Sequence, residues 1–254
     1  MRAGELSANR FIDRLAELVP PTSRHTFVRS ARARVRTGTN RNADFRIRMG
    51  SIFELAKEFV DLPIGEIDKL LNSPLHEVRV GALSVMDKQA RRNRTPQDQR
   101  KKLFDLYMRR SDRIDSWDLV DLGAPYVIGR YLWDRSRKVL YRLARSKSPW
   151  ERRAAIVSTL YFVRKGDVDD TFALAELLVD DDHEYVQKAV GGLLREAGKK
   201  DTDRLREFLE ENAALMDAAA LRYAMEHLTP KERDRYRALR GRGRHSASTR
   251  TQGS

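Results

Sequence analysis

Cysteine is absent from the 254 residues. That excludes a disulfide framework, thiolate zinc, an iron–sulfur cluster and a catalytic thiol, and it fits a cytoplasmic address. No apolar run approaches the ~18 residues that a membrane span needs. Asn9, Arg10, Asp13 and Arg14 interrupt the first apolar pattern, so no signal peptide is expected and the chain reads as soluble. Glycine and proline are scarce, at 14 and 8 residues, and several of the prolines stand where helices should begin. No alternating strand pattern appears. Walker loop, dinucleotide-binding glycine fingerprint and nucleophile elbow are all missing, which leaves nucleotide and ester chemistry without support. His25, His76, His183, His227 and His245 are scattered with no ligand spacing among them. Neither a metal nor a cofactor is expected.

Charge is what the chain has in plenty. Fifty Lys and Arg face 37 Asp and Glu, for a formal net charge of +13. A field of that sign attracts polyanions. Nucleic acid is the leading candidate partner and an anionic membrane its rival, and Arg grips phosphate with a planar fork. Hydrophobic residues at 41% are enough for a sizeable core, while 34% charged residues suit a chain that exposes much surface.

The apolar spacing is helical almost throughout. Ile52, Leu55, Ala56, Phe59 and Val60 follow the i, i+3, i+4, i+7 rule of one buried helical face. Ser148-Pro149-Trp150-Glu151 and Thr229-Pro230-Lys231-Glu232 each read as a capping box with Pro in the first turn. Three segments repeat one plan of helix, short polar turn and second helix. The second helices begin near Glu77-Val78-Arg79, Trp150-Glu151-Arg152-Arg153 and Tyr185-Val186-Gln187-Lys188, with a further unit expected near Ser116. Aligning Arg79, Arg153 and Lys188 gives a period of ~35–40 residues, the mark of HEAT-type arrays. The expected fold is therefore all-α: a right-handed superhelical HEAT-like solenoid of antiparallel helix pairs over residues 1–240. Arg29–Arg48 reads as a basic loop, and 241–254, made mostly of Gly, Arg, Ser and Thr, as a disordered basic tail. Asp180-Asp181-Asp182-His183-Glu184 looks like a metal cluster at first sight, but its place before a helix favours capping.

Three stretches carry the functional signal: Ser116-Trp117-Asp118-Leu119-Val120-Asp121, then Trp150-Glu151-Arg152-Arg153-Ala154-Ala155-Ile156, then Gln187-Lys188-Ala189-Val190-Gly191-Gly192-Leu193-Leu194-Arg195-Glu196. In this serial order they resemble the AlkD-like DNA alkylation repair enzymes, HEAT-like glycosylases of N-alkylated purines. The resemblance covers roughly residues 45 to 200. It implies that Trp117 lines the lesion site, that Asp121 is the catalytic aspartate and that Arg153, or Arg152 one register away, grips the DNA backbone. Lys188 and Arg79 would be general phosphate contacts. A second cradle tryptophan of that family falls on Gly192 here, a departure that Tyr185 or Trp150 would have to make good.

The residues agree with such chemistry. An N3- or N7-alkylated purine is cationic and already a good leaving group. What remains is to stabilise the sugar cation, which a nearby carboxylate does electrostatically. An indole face attracts the cationic base, worth about 0.5–2 kcal/mol. The implied function is excision of such bases from double-stranded DNA by a monomer, in the cytoplasm at the nucleoid. Two rivals stand beside it: a HEAT-repeat protein that binds damaged or branched DNA by shape with little activity, and a protein–protein adaptor. Residue by residue, Trp117 could instead belong to the core, Asp121 could be a solvated helix charge, and Arg153 could pair with Glu151 or Glu196.

Overall fold

A computed structural model describes residues 6–33, 45 and 47–250, with side chains to residue 240. All regular structure among the described residues is helical, and no helix among them is long and apolar enough to cross a membrane. The chain divides into two compact units, residues 1–131 and 132–254.

The first unit holds α1 (Ala8–Ala16), α2 (Arg24–Ala31), α3 (Met49–Glu58), α4 (Ile64–Leu71), α5 (His76–Arg91), α6 (Gln97–Arg109) and α7 (Trp117–Gly123), followed by a π-helical turn, Ala124–Gly129. The spacing read at Ile52 delivers α3: Ile52, Leu55, Ala56 and Phe59 are buried and Val60 half-buried. The middle of the unit is α5, which packs on α3, α4 and α7 and is buried on nearly every side. Gly81 lets it lie against α1, because a Cβ there would stand 2.5 Å from the Phe11 ring. Phe11 in turn meets Phe59 edge to face at 5.0 Å.

The boundary between the units falls within the short helix α8 (Arg130–Leu132), and the second unit continues from Leu132. It holds α9 (Lys138–Leu143), α10 (Pro149–Ser158), α11 (Leu160–Arg164), α12 (Asp169–Leu177), α13 (Glu184–Gly198), α14 (Thr202–Asn212), α15 (Ala218–Ala224) and α16 (Pro230–Arg250). Its middle is α13, packed on α10, α12, α14 and α15. Gly191 sets the closest approach: an added Cβ would come within 2.3 Å of the Ala220 carbonyl oxygen on α15.

Local expectations fare unevenly. The Thr229–Glu232 capping box forms, with Thr229 N donating to Glu232 Oε2 at 2.8 Å and Glu232 N to Thr229 Oγ1 at 3.3 Å. The Ser148 box does not. The Ser148 side chain caps nothing, and Glu151 instead accepts from Ser146 Oγ at 2.5 Å. Most of the basic loop 29–48 lies outside the described residues, though Arg29 belongs to α2. The backbone of α16 runs to Arg250, and 251–254 lie outside the described residues.

Candidate functional site

Three helices, α5, α10 and α13, open on the same local device. In the loop before α5, Leu75 N donates to Ser73 Oγ at 3.3 Å, and Arg79 Nη1 reaches back to the carbonyls of Ser73 and Pro74, both at 3.1 Å. Before α10, Ser148 N donates to Ser146 Oγ at 3.1 Å, and Arg152 Nη1 returns to the carbonyls of Ser146 and Lys147 at 3.1 and 3.2 Å. Before α13, His183 N donates to Asp181 Oδ1 at 2.9 Å, and Gln187 Nε2 returns to the Asp181 carbonyl at 2.9 Å. The structure therefore aligns Arg79 with Arg152 and Gln187. Spacing alone had aligned it with Arg153 and Lys188, one residue too far in both later helices. The reason is physical: the repeated side chain is a donor that ties down loop carbonyls, and an amide serves as well as a guanidinium.

This changes the reading of two candidate phosphate contacts. Arg79 is only 2% exposed; its Nη2 also binds Asp115 Oδ1 at 3.0 Å, and burial pulls its pKa down against the pull of that carboxylate. It is a loop clamp inside the first unit, and a buried guanidinium already spent on two carbonyls and a carboxylate is not offered to phosphate. Arg152 is similarly held, by Asp181 through Nε and Nη2 at 2.5 and 2.9 Å and by Asp182 at 3.1 Å. Asp181 thus ends up in a turn and an ion pair. Arg153 is buried as well, and its Nη1 donates to the Tyr185 carbonyl across the α10–α13 contact. Lys188 is more open and pairs with Glu184 at 2.9 Å along α13.

A fourth helix, α7, departs from the pattern. At the clamp register it carries Val120, fully buried. One position on stands Asp121, exposed, and one turn before it Trp117, 48% exposed. Residues four apart share a helix face, so the first turn of α7 presents an indole and a carboxylate to solvent together. Behind them the start of α7 is pinned. Asp118 Oδ2 lies 2.7 Å from His76 Nε2, at the first turn of α5, and Asp118 Oδ1 accepts from Ser116 Oγ at 2.6 Å. The hydrogen bond to Asp118 raises the His76 pKa. Burial pushes the Asp118 carboxyl up, but the bonds from His76 and Ser116 outweigh it and hold the group below the usual aspartate value. Sequence reading passed over His76 and Asp118 as a pair, because 42 residues separate them and no local pattern links the two.

In the second unit, Gly192 faces open space: a Cβ added there meets nothing within 4 Å. On the same helix, Lys188 Nζ stands 4.8 Å from the Tyr185 ring centroid, and Tyr185 lies 5.9 Å from both Trp150 and His183. Trp117, Asp121 and Arg79 belong to the first unit, and Arg152, Arg153, Lys188 and Gly192 to the second.

A family model described as DNA alkylation repair enzyme matches residues 30–228, well over half of the chain and all three stretches singled out above. No curated protein matches it.

Proposed function

The chain belongs to the DNA alkylation repair enzyme family, and from that premise we propose that it is a DNA glycosylase releasing cationic N3- or N7-alkylated purines from duplex DNA, the first step of base excision repair. The exposed pair Trp117 and Asp121 on one face of α7 carries this reading. In it, Trp117 lies against the damaged nucleotide and Asp121 faces the sugar. The bond between C1′ and the base nitrogen breaks, and its electron pair leaves with the base and cancels the positive charge there. The carboxylate of Asp121 stabilises the sugar cation left behind, a water adds to C1′, and Asp121 or solvent takes the proton. No general acid is required.

Within each unit the helices are read as HEAT-like antiparallel pairs wound in the right-handed sense, and the protein as a monomer. Arg153 and Lys188 are its phosphate contacts, at the cost of bonds they now make within the chain. Arg79 drops out of that role and Arg152 is the weaker candidate, since both are loop clamps. Free positive charge exists elsewhere: Lys138, Arg142 and Lys147 are exposed and have no ion-pair partner among the described residues. Such cations supply a salt-dependent affinity for backbone.

One observation favours a second reading, DNA binding with little base release. Gly192, where the family resemblance expects a second tryptophan, carries no side chain and faces open space. Duplex DNA carrying 7-methylguanine separates the two. Base release that disappears in Asp121→Asn while binding persists supports the glycosylase. Binding with a steep salt dependence and no release supports the second reading, and no affinity for DNA defeats both.

A further inference from the structure

The second unit carries an aromatic patch that the proposed chemistry does not use. Trp133 is 36% exposed, a large apolar side chain left partly in water where α8 gives way to the loop before α9. Tyr161 stands beside it with ring centroids 6.2 Å apart and planes at 71°, so the two rings form an L. Phe162, buried, backs the indole at 6.0 Å. Arg137 lies 5.5 Å from the Trp133 centroid and 4.0 Å from that of Phe162, and is held there by Asp167 and Asp170. Lys165 Nζ sits 5.9 Å from the Tyr161 centroid. Lys138 opens α9 five residues after Trp133, exposed and without an ion-pair partner among the described residues.

We infer that Trp133 and Tyr161 form a second DNA contact, one that takes an unpaired nucleotide. The base stacks on the indole, and the flanking phosphates meet Lys138 and Lys165. Charge complementarity selects this occupant. Aromatic rings set among cations are what single-stranded nucleic acid requires, because every base has a π face and every linkage a negative charge. Arg137 cannot serve as the phosphate group, since two carboxylates already neutralise it. Its part is to fix the indole through cation–π contact. An apolar protein partner would leave Lys138 and Lys165 unmatched. The inference rests on DNA being the ligand of this chain, as the proposed function has it, but needs neither Trp117 nor Asp121.

Three tryptophans occur in the sequence, so replacing Trp117 and Trp150 by Phe leaves Trp133 as the sole reporter. Oligo(dT) should quench its fluorescence, and the midpoint should move to higher concentration as salt is raised. In the otherwise intact chain Trp133→Ala should weaken oligo(dT) binding about tenfold, read by anisotropy of a labelled oligonucleotide, with Trp133→Phe in between. Base release from a 7-methylguanine duplex should stay at the level of the unsubstituted chain. The anisotropy comparison stands even if the double Phe variant fails to fold. Unchanged oligo(dT) affinity in Trp133→Ala overturns this inference and leaves the glycosylase proposal intact. Oligo(dT) binding through Trp133 with no base release supports the inference and overturns the glycosylase reading. A chain that binds neither oligo(dT) nor duplex overturns both.

Discussion

His76 Nε2 and Asp118 Oδ2 stand 2.7 Å apart and join the first turn of α5 to the first turn of α7, immediately beside exposed Trp117. Ser116 Oγ closes on the other carboxylate oxygen at 2.6 Å. The orientation of the indole and of Asp121 therefore depends on a contact that titrates.

The sign of that dependence follows from the two shifts. The folded pKa of His76 lies above the ordinary 6.5, so its stabilisation is complete below that value and is lost as pH rises through the raised one. Asp118 lies below the ordinary 3.8, so its share is present above that value and is lost as pH falls through the lowered one. Thermal melting should be highest between those limits and decline as pH rises from 6.5 through the raised His76 value. His76→Gln should flatten the alkaline decline and lower stability by about 1 kcal/mol. A melting profile in this variant with the same alkaline slope as the unsubstituted chain would refute the assignment.

Asp121→Asn should abolish base release while binding to the alkylated duplex persists. Trp117→Ala should weaken binding to alkylated duplex by about 0.5–2 kcal/mol, the worth of an indole against a cation. Release assayed beside filter binding distinguishes the two effects.

Arg79→Ala should destabilise the chain by about 2–4 kcal/mol. It orphans two loop carbonyls and strands the Asp115 carboxylate beside them. Denaturant unfolding would measure the loss. Lys188→Ala, by contrast, removes a half-buried i, i+4 partner of Glu184 and a ring contact with Tyr185, and should change unfolding little while lowering the salt slope of DNA binding by about one unit. Should Arg79→Ala instead fold normally and bind DNA less tightly, the phosphate role first assigned to it would be restored.

The adjacent glycines of α13 should respond in opposite directions. Gly191→Ala must push α13 off α15, because the new methyl meets backbone at 2.3 Å, and a loss of more than about 2 kcal/mol is expected. Gly192→Ala meets nothing and should stabilise the helix by about 0.5–1 kcal/mol. Gly192→Trp, which restores the tryptophan that the family resemblance expects at this position, should raise the rate of base release.

What could be read before any coordinates was whatever the chain determines locally. Ile52, Leu55, Ala56 and Phe59 announce a buried helical face by their spacing, and that face forms. Thr229 and Glu232 lie three apart and make their box. Trp117 and Asp121 lie four apart and share an exposed face of α7. The failures have one cause. Arg79, Arg152 and Gln187 look like unrelated surface residues until loop carbonyls and the carboxylates of Asp115 and Asp181 are brought to them, so the repeat register came out one residue late. Glu151 left the Ser148 box because Ser146 offered a better partner. Helical periodicity and caps rest on contacts within a turn or two, and the sequence alone determines those. Which cations are buried, which carboxylates they neutralise, and that His76 braces Asp118 depend on groups tens of residues apart, and packing alone decides which of them meet.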